Sequence, residues 1–489
     1  MTTRNITMRT INIIASLLAA FMATSSYAQM ETRDTRIGTL QFEKGYPSDS
    51  TVEKLYDEMD FQRASQAYIW GLPVVSSMNL VKTVLSGHDA DYTNLIGITT
   101  FEDLSYGITA NATTPYYFVV YDLNKLGPAI FEEPAGATAG FIDDLWQRPV
   151  TDLGVPGKFA GKGGKHLVLG PGQKAPSDDK GYHVVQSKTN QIVGILRNLE
   201  TDTDKAKNVI NAFQIYPYSK RVNPPKTKII AGGGRKWASN QPRGMAFWQL
   251  LSDAINSNPV EERDGFFMAM LKPLGIEKGK PFNPTASQKK ILEEAVFVGE
   301  AMAMANDFEK RGGMGHYADG TAWDIALTTN IEQQSKYYAH LDERAAWFYE
   351  AYSTSKGMTT QKPGIGSIYL STYKDTDGQW LDGAKSYRLR VPANVPAKNF
   401  WSVTVYHNDT RYLIQNKQQR ADRSSRMDLL KNADGTVDIY FGPTAPEGKD
   451  QNWIPTNSDE GWFPYFRLYG PLEAYFDRSW ILPSIERVK

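Results

Sequence analysis

The sequence predicts an α+β chain in which two antiparallel β domains of the sandwich or jelly-roll type are joined by a helical middle segment. Short runs rich in β-branched and aromatic residues alternate with Gly and Pro clusters between residues 116 and 196, and such runs return after Gly366. The stretch between these two regions carries apolar residues at helical spacing, most clearly from Thr285 to Lys310. This order predicts a signal peptide (1–28), N-terminal helices with a β domain (29–220), a linker with helices (221–365) and a C-terminal β-sandwich (366–489).

The first 28 residues have the pattern of a secretory signal peptide. Arg4 and Arg9 precede an apolar run at residues 11–23, which is too short to cross a bilayer, and residues 26–28 read Ser-Tyr-Ala, a small-x-small cleavage pattern. We therefore expect an exported protein, periplasmic or secreted, whose mature chain begins near Gln29.

The composition excludes several classes of function. The 489 residues include 54 basic and 54 acidic side chains, and loss of Arg4 and Arg9 leaves 52 against 54, a net charge of −2. This balance predicts no nucleic-acid partner and no attraction to an anionic membrane. No later apolar stretch approaches the ~18 residues of a membrane span. The absence of cysteine excludes disulfides and thiolate chemistry, so stability must come from buried apolar surface.

The first helical pattern, from Val52 to Leu85, contains Gly71 and Pro73. Proline removes a backbone donor and clashes with the preceding helical turn. The sequence therefore predicts two helices that are broken at this Gly-x-Pro.

His407 and Asp409 raise the question of a metal site. Their H-x-D spacing matches part of a two-histidine, one-carboxylate iron site, but His407 is the last of six histidines, and no H-x-H or H-E-x-x-H pattern occurs. The alternative is a core strand that ends at His407, followed by a turn at Asn408-Asp409. We favour the strand and turn, and predict neither a metal nor a cofactor.

Asp144, Trp146 and Arg148 follow a β run and would share one face if that strand continued. An acid, a ring and a cation on one face could bind a small molecule or a sugar, and the alternative is a structural salt bridge. We select Trp146 and Arg148 as ligand-binding candidates and Asp144 as a catalytic candidate.

Three further residues complete the predicted site in the N-terminal β domain. Arg197 ends the apolar run Ile192–Leu196, where a buried charge needs either a partner or a ligand. Arg197 and Asn111 join Trp146 and Arg148 as ligand-binding candidates. Tyr116 is paired with Asp144 as the catalytic acid or base of a metal-independent reaction.

Two arginine-containing stretches in the C-terminal region are also candidates. On the run Trp462–Tyr469, Arg467 alternates onto one side with Phe463, Tyr465 and Tyr469, as either a structural cation–π stack or a ligand clamp. The loop 417–426 carries basic residues at every third position, as either an anion-binding rim or a solvated loop.

Several motifs carry a resemblance to two bacterial domains. The C-terminal half resembles domain of unknown function 1214 through Asn399–Tyr406, Lys431–Gly435, Tyr440–Pro443, Asn452-Trp453 and Phe466–Pro471. The N-terminal half resembles its usual companion, domain of unknown function 1254, through Ala67–Pro73, Asn111–Tyr116, Asp144–Trp146 and Leu167–Gly172. The resemblance implies an exported protein with two β-sandwich-like domains joined by helices, and it brings neither an agreed activity nor agreed catalytic residues.

Three functions follow as hypotheses. The first is a soluble periplasmic protein that binds a small polar or amphipathic ligand in a cleft of a β domain, and can process it. The second is a metal-independent hydrolase or lyase using Asp144 and Tyr116. The third is a structural or assembly protein of the cell envelope, which would expose a large apolar patch and lack an enclosed cleft. A homo-oligomer is compatible with each.

Overall fold

The computed structural model describes residues 30–488, so the predicted signal peptide lies outside the described residues. The chain divides into two compact units, one ending at Arg63 and one comprising Ala64–Lys489. Both β regions and the middle helices predicted from the sequence belong to the second unit. Among the described residues, no helix combines the length and the hydrophobicity needed to cross a bilayer.

The first unit contains a three-stranded antiparallel sheet with the strands in chain order. Its strands are β1 (Glu31–Thr35), β2 (Gly38–Glu43) and β3 (Tyr46–Pro47). Lys44 and Gly45, which connect β2 to β3, both have positive φ, at 52° and 83°. A two-residue turn with both φ values positive matches the twist of the flanking strands, which explains the tight hairpin.

Ten α-helices occur within residues 30–488. They are α1 (Asp49–Gly87), α2 (Phe101–Leu104), α3 (Leu123–Leu126), α4 (Thr203–Ala212), α5 (Met245–Ser257), α6 (Gly265–Leu271), α7 (Ala286–Phe308), α8 (Leu341–Glu350), α9 (Lys356–Thr359) and α10 (Glu473–Phe476). Short 3₁₀ helices lie at Tyr218–Lys220, Glu262–Asp264, Lys272–Leu274, Arg311–Gly313 and Asp450–Asn452. Helix α7 confirms the helical pattern predicted from Thr285 to Lys310, and Thr285 caps it with a capping box to Gln288.

Helix α1 runs through Pro73 without a break, so the predicted interruption is wrong. Residues 67–75 are all buried, and packing on every side holds this segment helical in spite of the missing backbone donor. A Cβ on Gly71 would lie 3.3 Å from the Leu251 side chain. The glycine therefore serves the close approach of α1 to α5.

The N-terminal β region consists of two sheets. The six-stranded sheet has the order β13-β4-β5-β11-β7-β8, and the four-stranded sheet has the order β10-β9-β6-β12. The strands are β4 (Leu95–Ile98), β5 (Tyr116–Asp122), β6 (Ala129–Ala135), β7 (Thr138–Asp144), β8 (Pro149–Gly154), β9 (Lys162–Leu169), β10 (His183–Gln186), β11 (Gln191–Asn198), β12 (Gln214–Pro217) and β13 (Ile229–Ala231). One hydrophobic cluster includes Val119 and Ile192 of the larger sheet together with Phe131 and Val168 of the smaller one.

The C-terminal β region also consists of two sheets. A five-stranded sheet has the order β14-β15-β21-β17-β18, and a four-stranded sheet has the order β20-β19-β16-β22. The strands are β14 (Asp324–Ile325), β15 (Ser367–Ser371), β16 (Ser386–Val391), β17 (Ala397–His407), β18 (Asp422–Ser424), β19 (Val437–Gly442), β20 (Trp453–Pro455), β21 (Trp462–Pro471) and β22 (Glu486–Val488). Strand β21 is buried along its whole length between β15 and β17.

The chain thus combines α-helices with antiparallel and mixed sheets, and no sheet among the described residues closes on itself. Most strand pairs are antiparallel, as the sequence predicts. Parallel pairs occur between β9 and β10, between β4 and β13, and between β19 and β20.

Candidate functional site

A cavity of about 110 Å³ lies between the two β regions and the middle helices. Aromatic residues form much of its wall, including five tyrosines: Tyr116, Tyr352, Tyr369, Tyr465 and Tyr469. The principal polar residues of the wall are Asn111, Arg197, Ser239, Ser353 and Arg467. Among the described residues that form the wall there is no Asp or Glu.

The N-terminal side of the cavity is formed by the loop before β5 and by the end of β11. Asn111 closes a turn in this loop, since its Oδ1 accepts from Thr113 N at 3.0 Å and its Nδ2 donates to Thr114 Oγ1 at 2.8 Å. The Arg197 Nε and Nη2 donate to the same Thr114 oxygen, at 3.0 and 2.9 Å. The guanidinium carbon of Arg197 lies 5.6 Å from the centre of the Tyr116 ring. Arg197 is thus held by a hydroxyl and a ring, without an anion.

The C-terminal side is formed by β21, on which Tyr465, Arg467 and Tyr469 line the cavity. Arg467 is 3% exposed, and its Nη2 donates to the Thr109 carbonyl at 2.7 Å. Its Nη1 is buried and has no hydrogen-bond partner among the described residues. The guanidinium carbon lies 4.9 Å from the Tyr465 ring centre and 5.5 Å from that of Tyr369.

Within residues 30–488 the hydrogen bonds of the two cavity arginines go to Thr114 and to the Thr109 carbonyl, not to a carboxylate. The buried Asp422 acts on Arg467 only through its charge. Burial by itself lowers the pKa of Arg197. The interactions of Arg197 with Tyr469 and Tyr116 outweigh this effect, so that its pKa lies above the ordinary value. Both side chains stay cationic, because arginine does not lose its proton in proteins. The cavity wall therefore carries two positive charges without a carboxylate among its residues, and the charge of Asp422 opposes that of Arg467 from outside the wall.

Three of the wall tyrosines have raised pKa values, which keep their hydroxyl groups protonated at neutral pH. Burial raises the pKa of Tyr369 to about 12. Burial likewise raises the pKa of Tyr352 and of Tyr465, the latter well above its ordinary value. A ligand with an oxygen acceptor can accept hydrogen bonds from this wall.

Two arginines of the basic loop at residues 417–426 lie in different environments, one buried and one exposed. Arg423 turns inward, and its Nε donates to the Gln451 carbonyl at 2.8 Å. Arg426 is exposed and lies 4.0 Å over the Phe400 ring. Burial and the positive charge of Arg197 lower the pKa of Arg426, which places this side chain near the arginine of the cavity.

The structure brings three of the six predicted site residues to this cavity: Asn111, Tyr116 and Arg197. Asp144 and Arg148 do not line it, and Trp146 faces a separate small cavity with Trp70. In the sheet Arg197 pairs with Tyr116, whereas Ile192 pairs with Asp144. Five residues along β11 separate these positions by about 17 Å, so Asp144 and Tyr116 do not meet.

Asp144 and Arg148 form a buried structural ion pair. Strand β7 ends at Asp144 instead of continuing, and the next residues turn sharply, with a φ of 59° at Gln147. The Asp144 Oδ1 accepts from Trp146 N at 2.8 Å and from Arg148 N at 3.1 Å. The Arg148 Nη2 lies 2.7 Å from Asp144 Oδ2 and 2.5 Å from Glu261 Oε1. The predicted common face does not form, because the side chain of Asp144 closes a turn.

His407 is a strand end, as the sequence predicts. Strand β17 ends at His407. The Nδ1 atom of His407 accepts a hydrogen bond from Asp409 N at 3.0 Å. Asp409 is paired instead with Arg243, whose Nη2 lies 2.5 Å from Asp409 Oδ1. The hydrogen bond to Arg243 lowers the pKa of Asp409.

Several cavity residues were not selected as site residues from the sequence. Alternation along β21 places Tyr465, Arg467 and Tyr469 on one side, but it favours a structural cation–π stack over a ligand clamp. Trp347 and Tyr352 come from the middle segment, where no local motif distinguishes a cavity residue from a core residue.

Comparison with family models decides the relationship of the chain. The model described as "Protein of unknown function (DUF1254)" matches residues 98–217, and "Protein of unknown function (DUF1214)" matches residues 366–473. The chain pairs a DUF1254 domain with a DUF1214 domain. The cavity lies between them, because Asn111, Tyr116 and Arg197 belong to DUF1254, whereas Arg467 and its neighbouring tyrosines belong to DUF1214.

Solved structures that are similar to this chain include the following two. The VPA0106 protein from Vibrio parahaemolyticus is 19% identical, with a TM-score of 0.57, and the match covers 88% of this chain and 100% of that one. An uncharacterised protein from Burkholderia cenocepacia is 11% identical, with a TM-score of 0.41, over 90% and 97% of the two chains. The first likeness shows a shared fold. A search of curated proteins gave no significant match.

Proposed function

We propose that the chain binds a small amphipathic anion in the cavity between its DUF1254 and DUF1214 domains. The observation that carries this proposal is the placement of Arg197 and Arg467 in one aromatic cavity that contains no carboxylate. Each domain contributes one of the two arginines. The proposal thus gives a physical reason for the pairing of these domains in one chain.

The charge of the proposed ligand follows from the energetics of buried cations. A buried charge without a counter-ion is costly, and the cost is repaid when an opposite charge binds with good hydrogen-bond geometry. Arg467 has a buried Nη1 without a partner. A carboxylate or another oxyanion would accept this hydrogen together with those of the neighbouring tyrosine hydroxyls.

The amphipathic character follows from the rest of the wall. Leu80, Ile108, Phe141 and Trp347 present apolar surface to the cavity, and aromatic rings offer stacking faces to an apolar or aromatic body. The volume of about 110 Å³ is several times the roughly 10–15 Å³ that one buried water requires. A small molecule fits this space better than an isolated water.

The proposal includes export and a sandwich arrangement. The signal-peptide pattern of residues 1–28 supports a periplasmic or secreted location. The hydrophobic cluster shared by both N-terminal sheets, with Val119 on one and Phe131 on the other, supports a two-sheet sandwich in that region. The enclosed cavity favours ligand binding over a structural or assembly role in the envelope.

Isothermal titration calorimetry of the mature chain with benzoate tests the proposal. Benzoate supplies a carboxylate on an apolar ring, and benzamide is the neutral control of nearly the same shape. We expect benzoate to bind and benzamide to bind at least tenfold more weakly. Arg467→Gln and Arg197→Gln should each weaken benzoate binding by roughly 10- to 150-fold, because a hydrogen bond to a charged group contributes about 1.5–3 kcal/mol.

Arg221→Gln is the matched control. Arg221 also stacks on a tyrosine, with its guanidinium carbon 4.2 Å from the Tyr218 ring centre, but it does not line the cavity. Its replacement should leave benzoate binding unchanged. Equal binding of benzamide and benzoate, or full binding by a correctly folded Arg467→Gln protein, would contradict the anion site.

A further inference from the structure

A second polar cluster lies directly behind the cavity wall and comprises Asp307, Lys310, Glu350, Tyr373 and Tyr465; we call it the carboxyl cluster. Asp307 and Glu350 are completely buried. The Tyr373 hydroxyl lies 2.6 Å from Glu350 Oε2 and 2.8 Å from Asp307 Oδ1. The Tyr465 hydroxyl donates to Glu350 Oε1, and Lys310 Nζ lies 3.1 Å from Asp307 Oδ1.

A count of hydrogens places an acid proton in this cluster. The Tyr373 hydroxyl carries one hydrogen and therefore donates to only one of the two carboxyl groups. Its second short contact needs a hydrogen that a carboxyl group supplies. Lys310 neutralises Asp307 through an ion pair in which both side chains are buried, so the proton resides on Glu350.

The electrostatics agree with this count. Burial, and then the negative charge of Asp307, raise the pKa of Glu350 well above its ordinary value, although Lys310 opposes the shift. Other charges that face the cluster are Asp324, which acts on Lys310, and Arg467, over the Tyr465 ring. A single lysine cannot balance two buried carboxylates, and one proton restores neutrality.

The two tyrosines connect this proton to two different spaces. Tyr465 lines the cavity that contains Arg197 and Arg467. Tyr373 lines a separate cavity of about 380 Å³ together with Trp380 and Trp462. Glu350 joins them, because one of its oxygens contacts each hydroxyl. The hydrogen bonds therefore connect a tyrosine of one cavity wall to a tyrosine of the other through Glu350.

We propose that Glu350 stores a proton which Tyr465 delivers to an oxygen of the anion bound in the cavity, and which is replaced through Tyr373 from the second cavity. The Tyr465 hydroxyl hydrogen turns from Glu350 Oε1 to the ligand oxygen and is transferred to it. The Glu350 carboxyl group rotates so that its proton faces Tyr465, gives that proton to the Tyr465 oxygen and becomes a carboxylate. A proton from water in the second cavity then moves through the Tyr373 hydroxyl to Glu350. Tyr465 is thus the catalytic acid and Glu350 its positioning residue.

This inference deepens the proposed function and rests on it for the ligand. It assigns to the site the class of acid-catalysed reactions, in which an amphipathic anion is protonated on oxygen. The proposed acid and its positioning residue thus lie in the DUF1214 domain and in helix α8. They differ from the catalytic pair Asp144 and Tyr116 that the sequence predicts.

Infrared difference spectroscopy of the ligand-free mature chain tests the stored proton. At neutral pH the wild-type spectrum should contain a carboxylic-acid C=O band that Glu350→Gln lacks. Asp422→Asn, which changes another buried carboxyl outside the cluster, should leave that band in place. Retention of every acid C=O band in Glu350→Gln would overturn the proposal.

Tyr465→Phe and Tyr373→Phe test the connection, also in case Glu350→Gln does not fold. Each variant removes one hydrogen bond from Glu350, so each should shift the Glu350 C=O band to higher frequency. An unshifted band in Tyr465→Phe would disconnect the proton from the cavity and overturn the proposal.

Benzoate separates this inference from the proposed function. In the wild type, bound benzoate should shift the Glu350 band by competing for the Tyr465 hydroxyl. Tyr465→Phe, measured at a benzoate concentration that saturates the variant by calorimetry, should lack that shift. A wild type that binds benzoate without any band shift overturns the relay alone. Absence of benzoate binding overturns the anion site, whereas the ligand-free spectra still decide whether Glu350 holds the proton.

Discussion

At the scale of single residues, the protein contains two kinds of buried arginine. Arg148 lies between Asp144 and Glu261, at 2.7 and 2.5 Å, so its charge is balanced within the fold. Arg467 is also buried, but its contacts are a carbonyl and aromatic rings, and Asp422 acts on it only through its charge. The first arrangement balances the charge of the arginine within the fold, and the second is the one on which the proposed anion site rests.

This difference predicts losses of stability of unequal size on replacement by methionine. Arg148→Met should lower the free energy of unfolding by about 3–5 kcal/mol, because Asp144 and Glu261 lose their counter-ion. Arg467→Met should lower it by about 1 kcal/mol or less, because removal of an unpaired buried charge offsets the lost hydrogen bond to Thr109. Urea unfolding measures both, and a larger loss in Arg467→Met would mean that this arginine is structural.

Glu350 predicts a dependence of stability on pH. Its folded pKa lies above the ordinary value of 4.5, so the folded state binds the proton more tightly than the unfolded state. The stabilisation is fully present below about pH 4.5 and is lost as pH rises toward the folded pKa. As the pH rises above about 4.5 toward the folded pKa, the free energy of unfolding of the wild type should fall relative to that of Glu350→Gln, by up to about 1.4 kcal/mol per pH unit. Parallel urea unfolding curves at every pH would contradict this assignment.

The sequence predicts part of the site at this scale. Arg197 was identifiable because a charge ends an apolar strand and needs a partner or a ligand. Asp144 was misplaced because sequence alternation cannot reveal where a strand stops, and its side chain closes a turn with Gln147 at positive φ. The ion pair of Arg148 also includes Glu261, which lies 113 residues further along the chain.

At the scale of elements, helix packing overrides local propensity in α1. Pro73 does not end the helix, because the surrounding residues are buried on all sides. Strands with clear alternation or apolar runs, such as β5, β17 and β21, were predictable from the sequence. Parallel pairing was not, since the partner of a strand depends on contacts that no local pattern specifies.

Gly299 on α7 allows this helix to pack closely against α1. A Cβ on Gly299 of α7 would lie 2.7 Å from the ring of Tyr68 on α1. Gly299→Ala should therefore destabilise the protein by about 2 kcal/mol through overpacking, despite the gain of about 1 kcal/mol in helix propensity. Thermal or urea unfolding measures the change.

Phe297→Ala on the same helix is the control. Phe297 is 74% exposed, so its replacement should change stability by no more than about 0.5 kcal/mol. If Gly299→Ala is as stable as wild type, α1 and α7 can separate, and the close contact at Tyr68 is not needed for folding.

At the scale of the whole molecule, the cavity depends on contacts between distant parts of the chain. Arg467 Nη2 donates to the Thr109 carbonyl across 358 positions, and Thr113 Oγ1 donates to Asp422 at 3.1 Å across 309. Each domain was recognisable from its own motifs, but no motif states which surfaces meet. The site between them was therefore beyond reach of the sequence.

Because Ala64–Lys489 is one compact unit and both domains build the cavity, a bound anion should stabilise them together. At a benzoate concentration 100 times the Kd, the expected gain is about 2.7 kcal/mol. With about 2.1 cal/mol/K of unfolding entropy per residue, this raises the Tm by about 3 °C. Differential scanning calorimetry of the mature chain should show the DUF1254 and DUF1214 domains shifting as one transition, with no shift for benzamide. Two resolved transitions of which benzoate moves only one would place the ligand within a single domain and contradict a shared cavity.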